Sequence, residues 1–399
     1  MTVNAKEKIS IDCFLAGIYF ICLPFTVVTT PFGSLLKLVT MPLVLALIIR
    51  LFMGKSDITF NYIHFFYGIY IVYTAALLIV DNDSIAFTTT KDMALGALML
   101  VLVTVRIYNA REKEFLENVW LAVGVICVLA CLTSKEVMNE YESRTVIRIL
   151  GFEEDQNQFC AYLVMPTLVC VKRIARKDKL FYAYILLLGL SFYAILKTGS
   201  RGGLIGVFVG IAFYIMIGIK NIKIKIGIVF AAIFAVALFY IAVMPLLPED
   251  VRARYSVEAV RDDGGSGRFE IWSFLVDYTL QRPERLIRGS GIFSTYSVMY
   301  SAGFQNGVAH NAYIQILHDQ GLLGLLLFMT VIILCITRNI KKEPAYSSAI
   351  LALLAFSMSL SFYVFKPYLN VMMMCAMSFE GTIPEQILIK SGKGEFENV

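Results

Sequence analysis

The chain reads as an all-α polytopic membrane protein of about twelve transmembrane helices, with one large extracytoplasmic loop containing amphipathic helices. Three observations lead there. Of the 399 residues, 58% are apolar and only 16% charged, where a soluble domain carries ~25% charged residues. The mean hydropathy is +0.72. Apolar stretches close to the ~20 residues that cross a bilayer recur along most of the length. Too little polar surface is left to cover a large soluble domain. All eight cysteines lie in apolar segments, so they read as small buried hydrophobes rather than disulfide partners or zinc ligands.

The spans are placed at 11–29, 35–53, 62–80, 88–105, 115–133, 157–174, 180–197, 203–219, 225–245, 321–337, 346–363 and 367–383. Lys91 and Asp92 interrupt the fourth, and Pro367 and Glu380 bracket the last. No small-x-small cleavage site follows the first, so it reads as a retained span. Three regions result: spans one to nine over 1–245, a loop over 246–310, and spans ten to twelve with a tail over 311–399.

Lys and Arg in short loops orient a membrane protein. With the N-terminus inside, the inner loops and tail hold 20 basic residues, 14 Lys and 6 Arg, including Arg50, Arg106, Lys113, Lys172, Arg173 and Arg338. The short outer connections at 30–34 and 81–87 hold none. Both termini are therefore expected in the cytoplasm. The long outer segments, 134–156 and 246–310, escape the rule because long loops translocate regardless of charge.

Three outer segments could carry chemistry. The turn Lys197-Thr-Gly-Ser-Arg201-Gly-Gly203 brings two cations to a very short connection, with Arg201 just before a helix N-terminus. Free N–H groups and the helix dipole favour an anion there. The 246–310 loop holds seven Arg, no Lys and eight acidic residues. Arg binds phosphate or carboxylate oxygens through a planar fork that Lys lacks. From Arg268 the loop predicts an amphipathic helix ending before Pro283, with Phe269, Trp272, Val276 and Leu280 on its apolar stripe. Ser266 or Gly267 would cap it, and Glu270 would neighbour Arg268. Arg285 and Arg288 lie downstream, beside a Gly289-Ser-Gly291 turn. Third, His310-Asn311 precedes span ten; His310 can exchange a proton near neutral pH. His318 is a weaker candidate, and His64 is assigned no role. Asp262-Asp263 reads as a turn rather than a metal motif.

His310-Asn311, nine residues, Gly321, two residues, Gly324 resembles the signature of the O-antigen ligase and O-antigen polymerase superfamily of bacterial membrane glycosyltransferases. The Thr198–Gly203 turn resembles the family's Arg-bearing turn. The Arg268-x-x-x-Trp272 stretch, Pro283 and the Gly289–Gly291 turn resemble its large loop in order and spacing. The motifs cover about 157–337; the first five spans add nothing specific. The resemblance implies a donor glycan on an undecaprenyl diphosphate carrier, transfer outside the cytoplasmic membrane, and no cofactor, nucleotide sugar or metal. In that setting Arg201 and Arg268, then Arg288, would meet the charge of the leaving diphosphate. His310, or alternatively Glu270, would be the base. Lys197, Arg285 and Asn311 would help hold substrate. Membrane lipids, a flippase and a chain-length regulator are the expected partners, and nucleic acid is not. The surplus of cations (Arg282, Arg285, Arg288, with Arg144 and Arg148) favours a polymerase over a ligase. The rivals are a twelve-span transporter or flippase, against which Lys37 is the main ionisable group near a span centre, and a non-catalytic subunit of an export complex.

Overall fold

The computed structural model describes residues 8–31, 33–53, 58–80, 83–134, 146–223, 225–227, 241, 245, 252, 268–305, 307–361, 366–380, 387–389 and 396–398. Nearly all of the ninth span lies outside them. So do Ser266 and Gly267, the Asp262-Asp263 turn, Arg144, Arg254 and Arg261.

The described residues form fourteen α-helices, numbered here in chain order: α1 Ile11–Ile21, α2 Leu35–Phe52, α3 Tyr62–Ala76, α4 Ser84–Thr104, α5 Ala110–Thr133, α6 Gln156–Ala175, α7 Phe181–Lys197, α8 Arg201–Gly218, α9 Arg268–Leu280, α10 Pro283–Arg288, α11 Ser294–Ser301, α12 Ala312–Asn339, α13 Pro344–Phe356 and α14 Lys366–Ala376. Seven of these, counting α3 with the short 3-10 turn that extends it, are long and apolar enough to cross a membrane, and α1, α7 and α13 are shorter apolar helices. The fold is an all-α membrane bundle. The few strands pair in short two- or three-stranded ladders.

Several helices stop before the hydropathy does. The helix of the first span ends at Ile21, and Pro24 opens a 3-10 turn, Leu23–Phe25. The helix of the eleventh ends at Phe356. The twelfth is helical only to Ala376; Ser378–Phe379 then pairs in parallel with Ile107–Tyr108. A run of apolar residues shows that a segment avoids water, not that it stays helical throughout. The tenth differs the other way: α12 starts at Ala312 and is broken at Gly321, with φ 67° and ψ −171°. Lys37 lies in the first turn of α2 rather than near a span centre.

α8 packs on α13 through small residues at four-residue spacing. A Cβ on Gly206 would stand 2.8 Å from the Ala352 carbonyl oxygen, and one on Gly210 2.8 Å from Ala352 Cβ and 3.0 Å from the Ser348 carbonyl oxygen. Such stripes let helix backbones approach where lipid supplies no hydrophobic drive between helices.

The two ends of the bundle are built differently. One end is ionic. Asp12 binds both Arg50, at 2.8 Å, and Arg106, and Arg106 also binds Glu112. Burial works against the charge of Arg106, but these carboxylates and Tyr108 outweigh it and hold the guanidinium above its usual range. Beside them, Lys113 binds Glu343, and Lys172 binds Glu117 and, at 2.7 Å, Glu343. Arg173 reaches Glu117 at 3.1 Å and Asp178 at 3.0 Å. Removing one member of a buried pair leaves the other charge uncompensated, at a cost of ~3–5 kcal/mol. Glu117→Ala, which leaves Lys172 only the Glu343 carboxylate that it shares with Lys113, is expected to lower the thermal unfolding midpoint in detergent sharply. A midpoint within a degree or two of wild type would show that the pairs contribute little.

Candidate functional site

The opposite end gathers the C-termini of α3, α5, α7 and α13 with the N-termini of α6, α8 and α12. The turn between α7 and α8 is held from within. Thr198 Oγ1 donates to the Ile195 carbonyl at 2.5 Å and accepts from Ser200 N at 3.2 Å, and Gly199 takes φ 69°. Ser200 caps α8 by accepting from Gly203 N at 3.2 Å, and its hydroxyl donates to Asn157 Oδ1 at 2.7 Å. Arg201 is thus the first helical residue of α8, half-buried beside free N–H groups. Gly202 sits so close to α13 that a Cβ would meet Ser359 Cβ at 2.8 Å. Lys197 has other work. It is buried, and its ammonium donates to the carbonyls of Cys131 and Ser134 at 3.3 Å each, closing the C-terminus of α5.

α9 runs from Arg268 to Leu280, as its sequence predicts, but the other face is buried. Ile271, Leu275 and Thr279 pack inward, while Phe269 and Leu280 are exposed. Period alone does not say which apolar stripe meets protein and which meets lipid or solvent. Trp272 bridges the two faces, and its Nε1 donates to the Ala309 carbonyl at 2.8 Å. Arg268 opens the helix, and Glu270 in its first turn is exposed.

His310 has φ +50°, a left-handed conformation uncommon for a residue with a side chain. It is fixed from both sides. Ala309 is held by Trp272, and Ala312 N donates to the Ser357 carbonyl at 2.8 Å. Asn311 caps α12 through its side-chain oxygen, which accepts from Tyr313 N at 3.0 Å and Ile314 N at 3.2 Å. That capping role fixes the peptide next to His310. Gly202 of α8 and Ala312 of α12 both rest on the end of α13, at Ser359 and Ser357. The starts of α8 and α12, bearing Arg201 and His310, therefore converge on one short segment, and α9, which Arg268 opens, joins them through Trp272 at Ala309.

The two glycine motifs fit into each other. The break at Gly321 frees three successive carbonyls of α12. His318 O accepts from Ser290 N at 2.9 Å, Asp319 O from Gly291 N at 3.0 Å, and Gln320 O from Tyr73 OH at 2.7 Å. The same Tyr73 hydroxyl lies 2.9 Å from the Arg288 carbonyl. A Cβ on Gly289, at φ +87°, would overlap the Asp319 backbone, and one on Gly321 would overlap the backbones of Ile287 and Gly289. Arg288 is thereby anchored at the last turn of α10, its side chain exposed. Arg285 stacks 4.0 Å over the Tyr278 ring and donates to the Tyr278 carbonyl at 3.3 Å. Arg148 pairs across a hairpin with Glu153 at 2.8 Å. Both belong to the surplus of cations that the sequence offers, and both have partners in the protein.

Beneath this surface lies a buried polar row, of which sequence reasoning names only His318, as a weaker candidate, and misses Asp319. The Asp319 carboxylate caps α11, accepting from Thr295 N at 2.9 Å and Thr295 Oγ1 at 2.7 Å. His318 is fully buried against α9. Thr279 gives its hydroxyl proton to the Leu275 carbonyl at 2.8 Å, so the 3.1 Å contact requires His318 Nδ1–H as donor. Its Nε2 is then a buried acceptor. The run of polar residues just before an apolar span was the available signal.

Residues 186–329 match the O-antigen ligase family model, Wzy_C. The matched segment runs from within α7 to within α12 and holds both motif turns, all of α9 and His310. This agrees with the superfamily that the motifs resemble and points to glycan transfer by a membrane-embedded protein. No curated protein matches the chain. One solved structure that it resembles, described as "Structural coordination of polymerization and crosslinking by a peptidoglycan synthase complex", is 16% identical over 80% of this chain and 97% of that one, with a TM-score of 0.47.

Proposed function

We propose that this protein polymerises lipid-linked oligosaccharide repeat units in the bacterial cytoplasmic membrane. It moves the growing glycan from an undecaprenyl diphosphate carrier to a sugar hydroxyl of the next unit, on the extracytoplasmic side, with both termini in the cytoplasm. The observation that carries this reading is the meeting of the Arg201 and His310 helix starts, with the helix that Arg268 opens tied to them through Trp272, inside the segment that matches the family. As the glycosidic bond breaks, negative charge grows on the leaving diphosphate. Preplaced cations that meet it lower the barrier. Arg201 and Arg268 take this role, with Arg288 third. His310 accepts the proton of the attacking hydroxyl, worth ~10²–10⁴ in rate, unless the exposed Glu270 does so. Direct attack inverts the anomeric centre. No metal enters the scheme.

Transfer of finished polymer to a lipid core or protein, the ligase reading, is favoured by one observation: Arg148 and Arg285 are engaged within the protein, which weakens the case for a second diphosphate site. Deletion of the gene distinguishes the two. A lost polymerase leaves single repeat units, while a lost ligase leaves long polymer on its prenyl carrier. Purified protein in lipid with a lipid-diphosphate oligosaccharide should yield longer glycan; movement of substrate across the bilayer without a new bond would make it a flippase. The orientation has its own test. A thiol reagent applied to intact cells should label Ser301→Cys, on the exposed end of α11, and spare Lys177→Cys. Labelling at 177 would invert the arrangement.

A further inference from the structure

We infer that a cavity between α2, α3, α4, α12 and α14 holds the hydrocarbon chain of a phosphate-bearing lipid. It encloses about 390 Å³, within the ~300–1,000 Å³ typical of ligand pockets. Its inner wall is aromatic, with Tyr70, Phe328 and Tyr368 among its members. It opens sideways: Met41 on α2 and Leu95 on α4 line it and are 70% and 54% exposed.

Its charged groups set the direction of the guest. The last turn of α2 carries Arg50, which belongs to the ionic end. The first turn, with Lys37, therefore lies at the end where Arg201 and His310 converge. Lys37 lines the mouth, and Asp92, in the third turn of α4, also lines the cavity. An ammonium at head-group level with a carboxylate deeper favours a ligand whose anion stays at the mouth and whose buried part is apolar. The Tyr368 hydroxyl, on a residue 3% exposed, has no hydrogen-bond partner among the described residues. The cavity also adjoins the candidate site. Tyr70 lies one helical turn from Tyr73, the hydroxyl that joins the Arg288 and Gln320 carbonyls.

Two lipids share this chemistry: the polyprenyl phosphate moiety of the proposed substrate, which rests on the glycan-transfer reading, and an anionic phospholipid, which does not. Native mass spectrometry of the full-length protein, with undecaprenyl phosphate or phosphatidylglycerol added separately, reads the bound lipid. Thr40→Phe and Met99→Trp both fill the cavity; the variant that keeps the wild-type melting profile is the one scored. The adduct should be lost in that variant, weakened in Lys37→Gln and kept in Gly189→Ala, on α7 away from the cavity, where a Cβ meets nothing within 4 Å. Preference for the polyprenyl lipid supports a substrate-tail site, and preference for phosphatidylglycerol supports the same cavity as a phospholipid site. Adducts with neither lipid, or adducts indifferent to filling, overturn the inference. If adducts behave as expected but wild-type protein forms no glycosidic bond, the proposed function fails and the cavity assignment stands.

Discussion

Arg201→Ala is expected to abolish glycan assembly while leaving protein level and thermal unfolding close to wild type. The turn before α8 owes its shape to Thr198, Gly199 and Ser200 and its fit to Gly202 and Gly203, so the side chain of Arg201 can be removed without dismantling its support. What is lost is a cation beside the first N–H groups of a helix, where an oxyanion is already favoured. Removing one such donor commonly costs ~10²–10³ in rate. Arg201→Lys should rescue poorly, because an ammonium does not reproduce the bidentate fork. Arg268→Ala and Arg268→Lys should behave alike. In vitro extension of a lipid-linked oligosaccharide measures this; full activity of either Lys variant would mean that charge alone suffices or that the site is elsewhere.

The largest effect on the fold is expected from Gly321→Val. Two terms add. A β-branched residue at φ +67° carries backbone strain of ~1–3 kcal/mol. Its Cβ also meets backbone atoms of Ile287 and Gly289, which cannot swing aside like the tip of a side chain; overpacking of this kind costs ~1–3 kcal/mol. Together about 2–6 kcal/mol would detach the Gly289 turn from α12 and unseat the loop bearing Arg288. Gly289→Val should do the same from the other side. Gly68→Ala is the control, since a Cβ there meets nothing within 4 Å and Ala is the better helix former. Thermal unfolding of the three purified variants decides it. A Gly321→Val protein as stable as Gly68→Ala would mean that the interlock does not form.

Hydropathy located the helices because burial in lipid acts on composition, which a sequence displays directly. It located their ends less well, since Pro24 and the strand at Ser378–Phe379 stop helices in segments that remain apolar. The bounds of α9 were legible from Arg268 and Pro283, but its buried face was not, because in a membrane protein an outward apolar stripe carries no penalty. The glycine spacing of the His310 motif was legible as a pattern. Its reason was not: Gly321 is needed because the Gly289 turn, 32 positions earlier, occupies the space of a side chain. Lys197 reads as an anion ligand from its neighbours in sequence and acts as a cap on α5, some sixty residues away in the chain. Tyr73 was beyond reach for the same reason. The four-residue glycine spacing of α8 was in plain sight and needs only its partner stripe on α13 to be understood.

The ionic end has a consequence in time. Lysines and arginines orient a chain while it is being inserted, when each is still hydrated and unpaired. In the finished protein Arg50, Arg106, Lys113, Lys172 and Arg173 are each bound to a carboxylate. In the proposed orientation the same residues serve two stages: a directional signal to the insertion machinery, then mortar between helices. A substitution that keeps the charge but spoils the pairing, such as Arg106→Lys, should leave insertion intact and show its damage only after synthesis, as slow proteolytic loss of a correctly oriented chain.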